Sequence, residues 1–228
     1  MKTIQTLEQQ GIVWKAGYAD DFASHYADSN RSTGFDSLDQ ELLIKGWPTR
    51  CVIELLLENH GVGELSLFLP WLGRMAKSTD KKVAFINPPF LPSVSCFVAQ
   101  GVKPQQIWLL SPKGDKQSLW LQQQCLLEGH CFAVFMWHND KTSDTALRKL
   151  QLAAKQGDCL GISIRSLRVK DQSSPAPYRL LLEHRGSQRA QIKIIKRRGG
   201  WSSSPIPIKL GALIDPGKAD TPIQIIKQ

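Results

Sequence analysis

The chain has 228 residues, 42% of them hydrophobic and 21% charged, which suits one large or two small globular units and excludes a disordered polyelectrolyte. Its apolar runs are too short to span a bilayer, and the opening M-K-T-I-Q-T-L-E-Q-Q-G lacks a signal-peptide core, so the sequence predicts a cytoplasmic protein with no membrane contact. The net charge of +9 is not spread evenly: residues 1–159 hold 16 Lys/Arg and 16 Asp/Glu, whereas residues 160–228 hold 13 and 4, so the whole excess lies in the last third. Such asymmetry points to an acidic partner there, nucleic acid or protein, or to a solvated basic face.

Residues 1–31 read as an N-terminal arm in which Trp14, Tyr18, Phe22 and Tyr26 recur every four positions. On a helix they form one aromatic face, packed on the domain or docked on a partner. Residues 32–200 read as one α/β domain. It opens with S-T-G-F-D-S-L-D and a short helix ended by Gly46-Trp47-Pro48. A buried strand, 51–57, follows, and then the loop Glu58-Asn59-His60-Gly61-Val62-Gly63-Glu64-Leu65 leads into a helix over 63–76. Pro70 predicts a kink or a displaced first turn in that helix.

A glycine loop between strand and helix is where α/β nucleotide-binding proteins cradle phosphate, with backbone N–H groups, a lysine and a magnesium-binding hydroxyl. Here Glu64 stands in place of the lysine and Leu65 in place of the Ser/Thr. A carboxylate repels a triphosphate and leucine cannot bind magnesium, so Gly61, Gly63, Glu64 and Leu65 are predicted to form a defunct phosphate loop.

Strand 82–86 ends in the rigid N-P-P-F-L-P loop, which either caps the sheet or presents Phe90 to a protein. A helix over 93–100, a strand over 107–110 and a helix over 117–127 follow. Strand 131–137 ends in Phe135-Met136-Trp137, without the aspartate that would bind magnesium at that position. His138 beside Asp140 has no nucleophile nearby and reads as part of a solvated loop. The spacing then predicts a helix over 142–155, a strand over 160–164, and a hairpin of strands 178–183 and 191–196 turning at 185–188. Residues 201–228 read as an extended tail. The five cysteines lack metal-ligand spacing and read as reduced, buried thiols, so neither metal nor cofactor is predicted. Lys193, Lys196, Arg197 and Arg198 are candidate DNA contacts through counterion release, or lysines guarding an edge strand.

The resulting fold class is α/β: a mostly parallel sheet flanked by helices, with an antiparallel hairpin at one edge. T-G-F-D-S-L-D with G-W-P, followed by a strand and a phosphate-loop position, resembles the RecA/RadA core. Five segments in order, T-G-F-D-S-L-D with G-W-P, E-L-L-L-E-N-H-G-V-G-E-L, N-P-P-F-L-P, L-R-K-L-Q-L-A-A and K-R-R-G-G, are similar to the ImuA family. SulA, the division inhibitor that acts on FtsZ, belongs to the same wider group, and residues 134–140 and 151–165 are similar to it. The ImuA resemblance implies a non-enzymatic, damage-induced (SOS) accessory protein of translesion synthesis and mutagenic DNA repair. Its implied partners are an ImuB-type relative of the Y-family polymerases, RecA and an error-prone replicative-type polymerase subunit, with DNA as a further candidate. The SulA resemblance leaves FtsZ as the alternative partner.

Overall fold

Eight strands make one mixed sheet in the order β3-β2-β4-β5-β1-β6-β7-β8. The computed structural model describes residues 29–42, 45–186 and 188–211. The four aromatic residues predicted to line one face of the N-terminal arm lie outside these, as do residues 212–228 of the tail. The strands are β1 (Cys51–Leu57), β2 (Lys82–Ile86), β3 (Ile107–Leu110), β4 (Cys131–Trp137), β5 (Leu160–Ser166), β6 (Arg179–His184), β7 (Arg189–Lys196) and β8 (Ile206–Lys209). The first six pair in parallel, and β7 and β8 are antiparallel to their neighbours. The helices are α1 (Asp36–Glu41), α2 (Leu69–Ser78), α3 (Val94–Ala99), α4 (Gly114–Leu127) and α5 (Asp144–Gln156).

Near-continuous apolar strands are what a parallel sheet covered on both faces demands. Every residue of β1 is buried, Glu54 included. On one face, α1, α2 and α3 pack through Leu38, Trp71, Leu72 and Phe97 onto Ile53, Leu55, Phe85 and Phe135. On the other, α4 and α5 pack through Leu126, Leu150 and Ala154 onto Val52, Ala84, Val134 and Met136. Burying these side chains stabilises the fold by about 25 cal/mol per Å² of apolar surface.

The S-T-G-F-D-S-L-D and G-W-P motifs have structural work in this chain. Asp39 closes the turn ahead of α1, accepting from the Ser32 hydroxyl at 2.6 Å and from the Thr33 N–H at 2.8 Å. Gly34, at φ +92°, lies against Pro70 so closely that an added Cβ would stand 2.5 Å from the ring, which only glycine permits. Trp47 is 1% exposed and stacks on Phe68 at 4.5 Å, and Phe68 meets Phe135 edge-on at 5.2 Å.

Two elements depart from the sequence expectation. The helix expected from residue 63 starts at Leu69, with irregular turns over 64–68 and Pro70 in the first helical turn. Proline lacks only an N–H that the first turn leaves unbonded anyway, so the first turn is displaced rather than kinked. The tail expected from residue 201 contains β8, which pairs Arg189 with Lys209 through to Ile192 with Ile206 and ends the sheet. Pro207 is tolerated there because an edge strand leaves alternate N–H groups unpaired.

Candidate functional site

In the parallel part of the sheet, the carboxyl ends of the strands are where an α/β protein builds its site. The loop from β1 into α2 stands at that edge. Gly61 and Gly63 both adopt left-handed backbone, at φ +78° and +94°, as a phosphate cradle would require. The Glu64 carboxylate folds back into the loop: its Oε1 accepts from the Gly61 N–H at 3.0 Å and the residue is 5% exposed. An internal carboxylate thus takes the backbone donor that a bound phosphate would need.

Two further side chains close the loop. An added Cβ on Gly63 would stand 2.7 Å from Leu210 Cδ1, so the residue that follows β8 is seated on the cradle. The Phe90 ring lies 3.5 Å from the corresponding position on Gly61, although Phe90 remains 66% exposed and Leu91 73%. The N-P-P-F-L-P loop therefore flanks the cradle with one aromatic edge and turns most of its apolar surface outward.

Behind the loop, on the α4/α5 face, runs a buried polar seam. The Asn87 and Gln122 side-chain amides both donate to the Ser118 hydroxyl, at 3.2 and 3.1 Å. With its amide nitrogen so engaged, Gln122 turns Oε1 to His138, so Nε2–H of the imidazole donates at 2.8 Å and Nδ1 accepts from the Ser163 hydroxyl at 2.7 Å. His138 thus lies in the interior, at 9% exposure, which corrects the solvated loop expected for it. The strand end that carries it is covered by α4, and periodicity does not reveal that cover. Burial, then the charge of Arg165, pushes its pKa down to about 3. A serine–histidine pair of this geometry resembles a nucleophile and its base, but Ser163 is fully buried and the far nitrogen faces an amide, not a carboxylate. The seam is built to satisfy buried polar atoms.

Next to it, one buried carboxylate ties three strands together. Glu54 on β1 accepts from Arg165 Nη1 on β5 at 2.9 Å and from Arg179 Nε on β6 at 2.6 Å. Arg179 also donates to the carbonyls of Val169, Lys170 and Gln172, fixing the loop after β5. Sequence reading missed this triad because a single Glu in an apolar strand does not announce its partners, which lie 111 and 125 positions away.

The four candidate DNA contacts are not equivalent. The Lys196 ammonium donates to the Ser174 carbonyl at 2.7 Å, and burial, then Arg179, lowers its pKa. Arg197 donates to both the Glu41 carbonyl and its carboxylate, the latter at 3.0 Å, and so fastens the β7–β8 turn to α1. Arg198 is exposed at the tip of that turn, next to Gly199 at φ +68°. Lys193 is half-buried in the middle of β7, on the face opposite Ile192 and Ile194. The cluster is thus divided between structural and outward-facing charges.

All five cysteines are free and buried; burial pushes Cys51 up to about 12 and raises Cys159 as well. Among the described residues no group of His, Cys, Asp or Glu could hold a metal ion, and no helix is long and apolar enough to cross a membrane. No protein-family model matches the chain, and no curated protein is significantly similar to it.

Proposed function

We propose that this chain is a non-catalytic, cytoplasmic RecA-like accessory protein of damage-induced translesion DNA synthesis. It acts as an adaptor that holds an ImuB-type polymerase relative, with RecA, an error-prone polymerase subunit and DNA as further partners. The observation that carries the reading is the Glu64 carboxylate bonded to Gly61 N–H inside its own glycine loop. A phosphate loop that retains its glycines but fills its donor from within supports a nucleotide-fold scaffold put to use through its surfaces. The apolar end of β4, Phe135-Met136-Trp137, supports it independently, since no carboxylate stands there for magnesium.

The test is a capture experiment with this chain as bait and an ImuB-type protein, RecA and FtsZ offered in parallel at equal concentration. Retention of the ImuB-type protein, with or without RecA, is the expected result. Retention of FtsZ alone would overturn the adaptor and make the chain a division inhibitor.

A further inference from the structure

The two helices that cover the second face of the sheet stop short of its antiparallel edge. Their apolar cluster draws on β1, β2 and β4, with Trp108 and Leu110 of β3 packed against it, and holds no residue from β6, β7 or β8. Beyond it, among the described residues, that face is met by the 3₁₀ turn Leu167–Val169, which packs with Leu56, Leu181 and Ile195, and by the loop that follows, whose Lys170, Gln172 and Ser174 carbonyls accept from Arg179 and Lys196. The rest of the face is a row of alternate side chains on paired strands. Ala190, Ile192 and Ile194 point to the core, so Arg189, Gln191 and Lys193 point outward. Cross-strand pairing sets Lys209 beside Arg189 and Pro207 beside Gln191 on β8, and Leu181 and Glu183 beside Lys193 and Gln191 on β6.

The charge on this open face is one-sided. Arg189 and Lys209 are exposed and Lys193 half-buried, and none of the three forms an ion pair among the described residues. Arg185 lies over the same surface, donating to Gln191 Oε1 at 3.1 Å and to Glu183 Oε2 at 2.5 Å. Glu183 is thus the one carboxylate on these strands and is already neutralised. Arg168 and Lys170 extend the positive border along the 3₁₀ turn, with Asp171 beside them.

We infer that the part of this face of β6, β7 and β8 that the described residues leave uncovered is a docking surface for a nucleic-acid phosphodiester backbone, held chiefly by Arg189, Lys193 and Lys209. The ligand class rests on the adaptor reading; the location rests on the sheet. Strand neighbours lie about 4.8 Å apart, which sets Arg189 and Lys209 side by side, and Lys193, four residues along β7, stands about 13–14 Å from them, so the three cations mark the two ends of a stretch of backbone rather than consecutive phosphates. No aromatic side chain stands on this part of the face to stack a base, so the contact reads backbone charge and not sequence. This relocates the nucleic-acid contact away from Lys196 and Arg197, which are committed to Ser174 and Glu41.

The experiment measures binding of the full chain to fluorescent oligo-dT and to a duplex of equal length across a salt series, with poly-glutamate as a competing polyanion. Wild type, K193A/K209A and K113A/K116A, a control pair on the far side at the start of α4, are compared after equal thermal stability is confirmed. The expected result is a log–log salt slope reduced by about 2 in K193A/K209A and unchanged in K113A/K116A. The oligo-dT and duplex arms tell which form of backbone is preferred. Wild-type slope in K193A/K209A, no binding by the wild type, or poly-glutamate bound as tightly as DNA would each overturn the inference. Capture of the ImuB-type protein by both wild type and K193A/K209A separates failure of this surface from failure of the adaptor reading.

Discussion

His138 is an imidazole kept neutral by burial and by the charge of Arg165, with a hydroxyl on one nitrogen and an amide oxygen on the other. Its pKa of about 3 in the fold, against 6.5 for an unperturbed histidine, means the unfolded chain takes up a proton that the folded chain refuses. The stability it contributes is therefore whole above pH 6.5 and drains as pH falls toward 3, at up to about 1.4 kcal/mol per pH unit. Denaturant titrations between about pH 6 and pH 4 should show a steeper loss for wild type than for His138→Gln, and parallel curves would contradict the buried, neutral assignment. Glu54 gives the complementary case. Glu54→Gln leaves two buried guanidinium groups facing each other without their counter-charge, and unfolding experiments should read a loss of about 3–5 kcal/mol. A loss below 1 kcal/mol would show that water or a rearranged carboxylate takes over that role. At this scale Glu64 and Leu65 stood out in the sequence because they differ chemically from what a phosphate loop needs at adjacent positions, and the structure turns Glu64 onto the Gly61 N–H. It misplaced His138, because burial by a distant helix leaves no trace in the neighbouring residues.

At the scale of elements, the closure of the glycine loop depends on a strand far along the chain. Leu210 leaves β8 with 4% exposure and rests on Gly63. Leu210→Ala removes that cover and should cost about 2–3 kcal/mol in unfolding free energy. It should also speed amide exchange at 61–63; protection unchanged at those amides would show that Glu64 alone holds the loop. The parallel strands were legible because each is a short apolar run between turn residues, the pattern of a sheet covered on both faces. β8 was not, because I-P-I-K is four residues long with a proline inside, and only the pairing with β7 makes it a strand. The displaced start of α2 was legible in part, since Pro70 admits either a kink or a late start, and the helix begins at Leu69 with Pro70 in its first turn.

Over the whole molecule, charge and cover are segregated. The covered strands carry the polar seam and the closed loop, and the basic last third supplies the antiparallel edge, one face of which the described residues leave open in part. The fold class followed from the alternation of strands and helices, whereas the division of the basic residues into fasteners and outward charges required the register of β7 against β6 and β8. Closure of the phosphate-loop position from within, by Glu64 on Gly61, is checked by thermal unfolding of the wild-type chain with and without millimolar Mg-ATP. No shift is the predicted result. A ligand at a hundred times its Kd would add about 2.7 kcal/mol of stability, so a clear rise in Tm that Mg²⁺ alone does not produce would contradict the claim and return the loop to nucleotide binding.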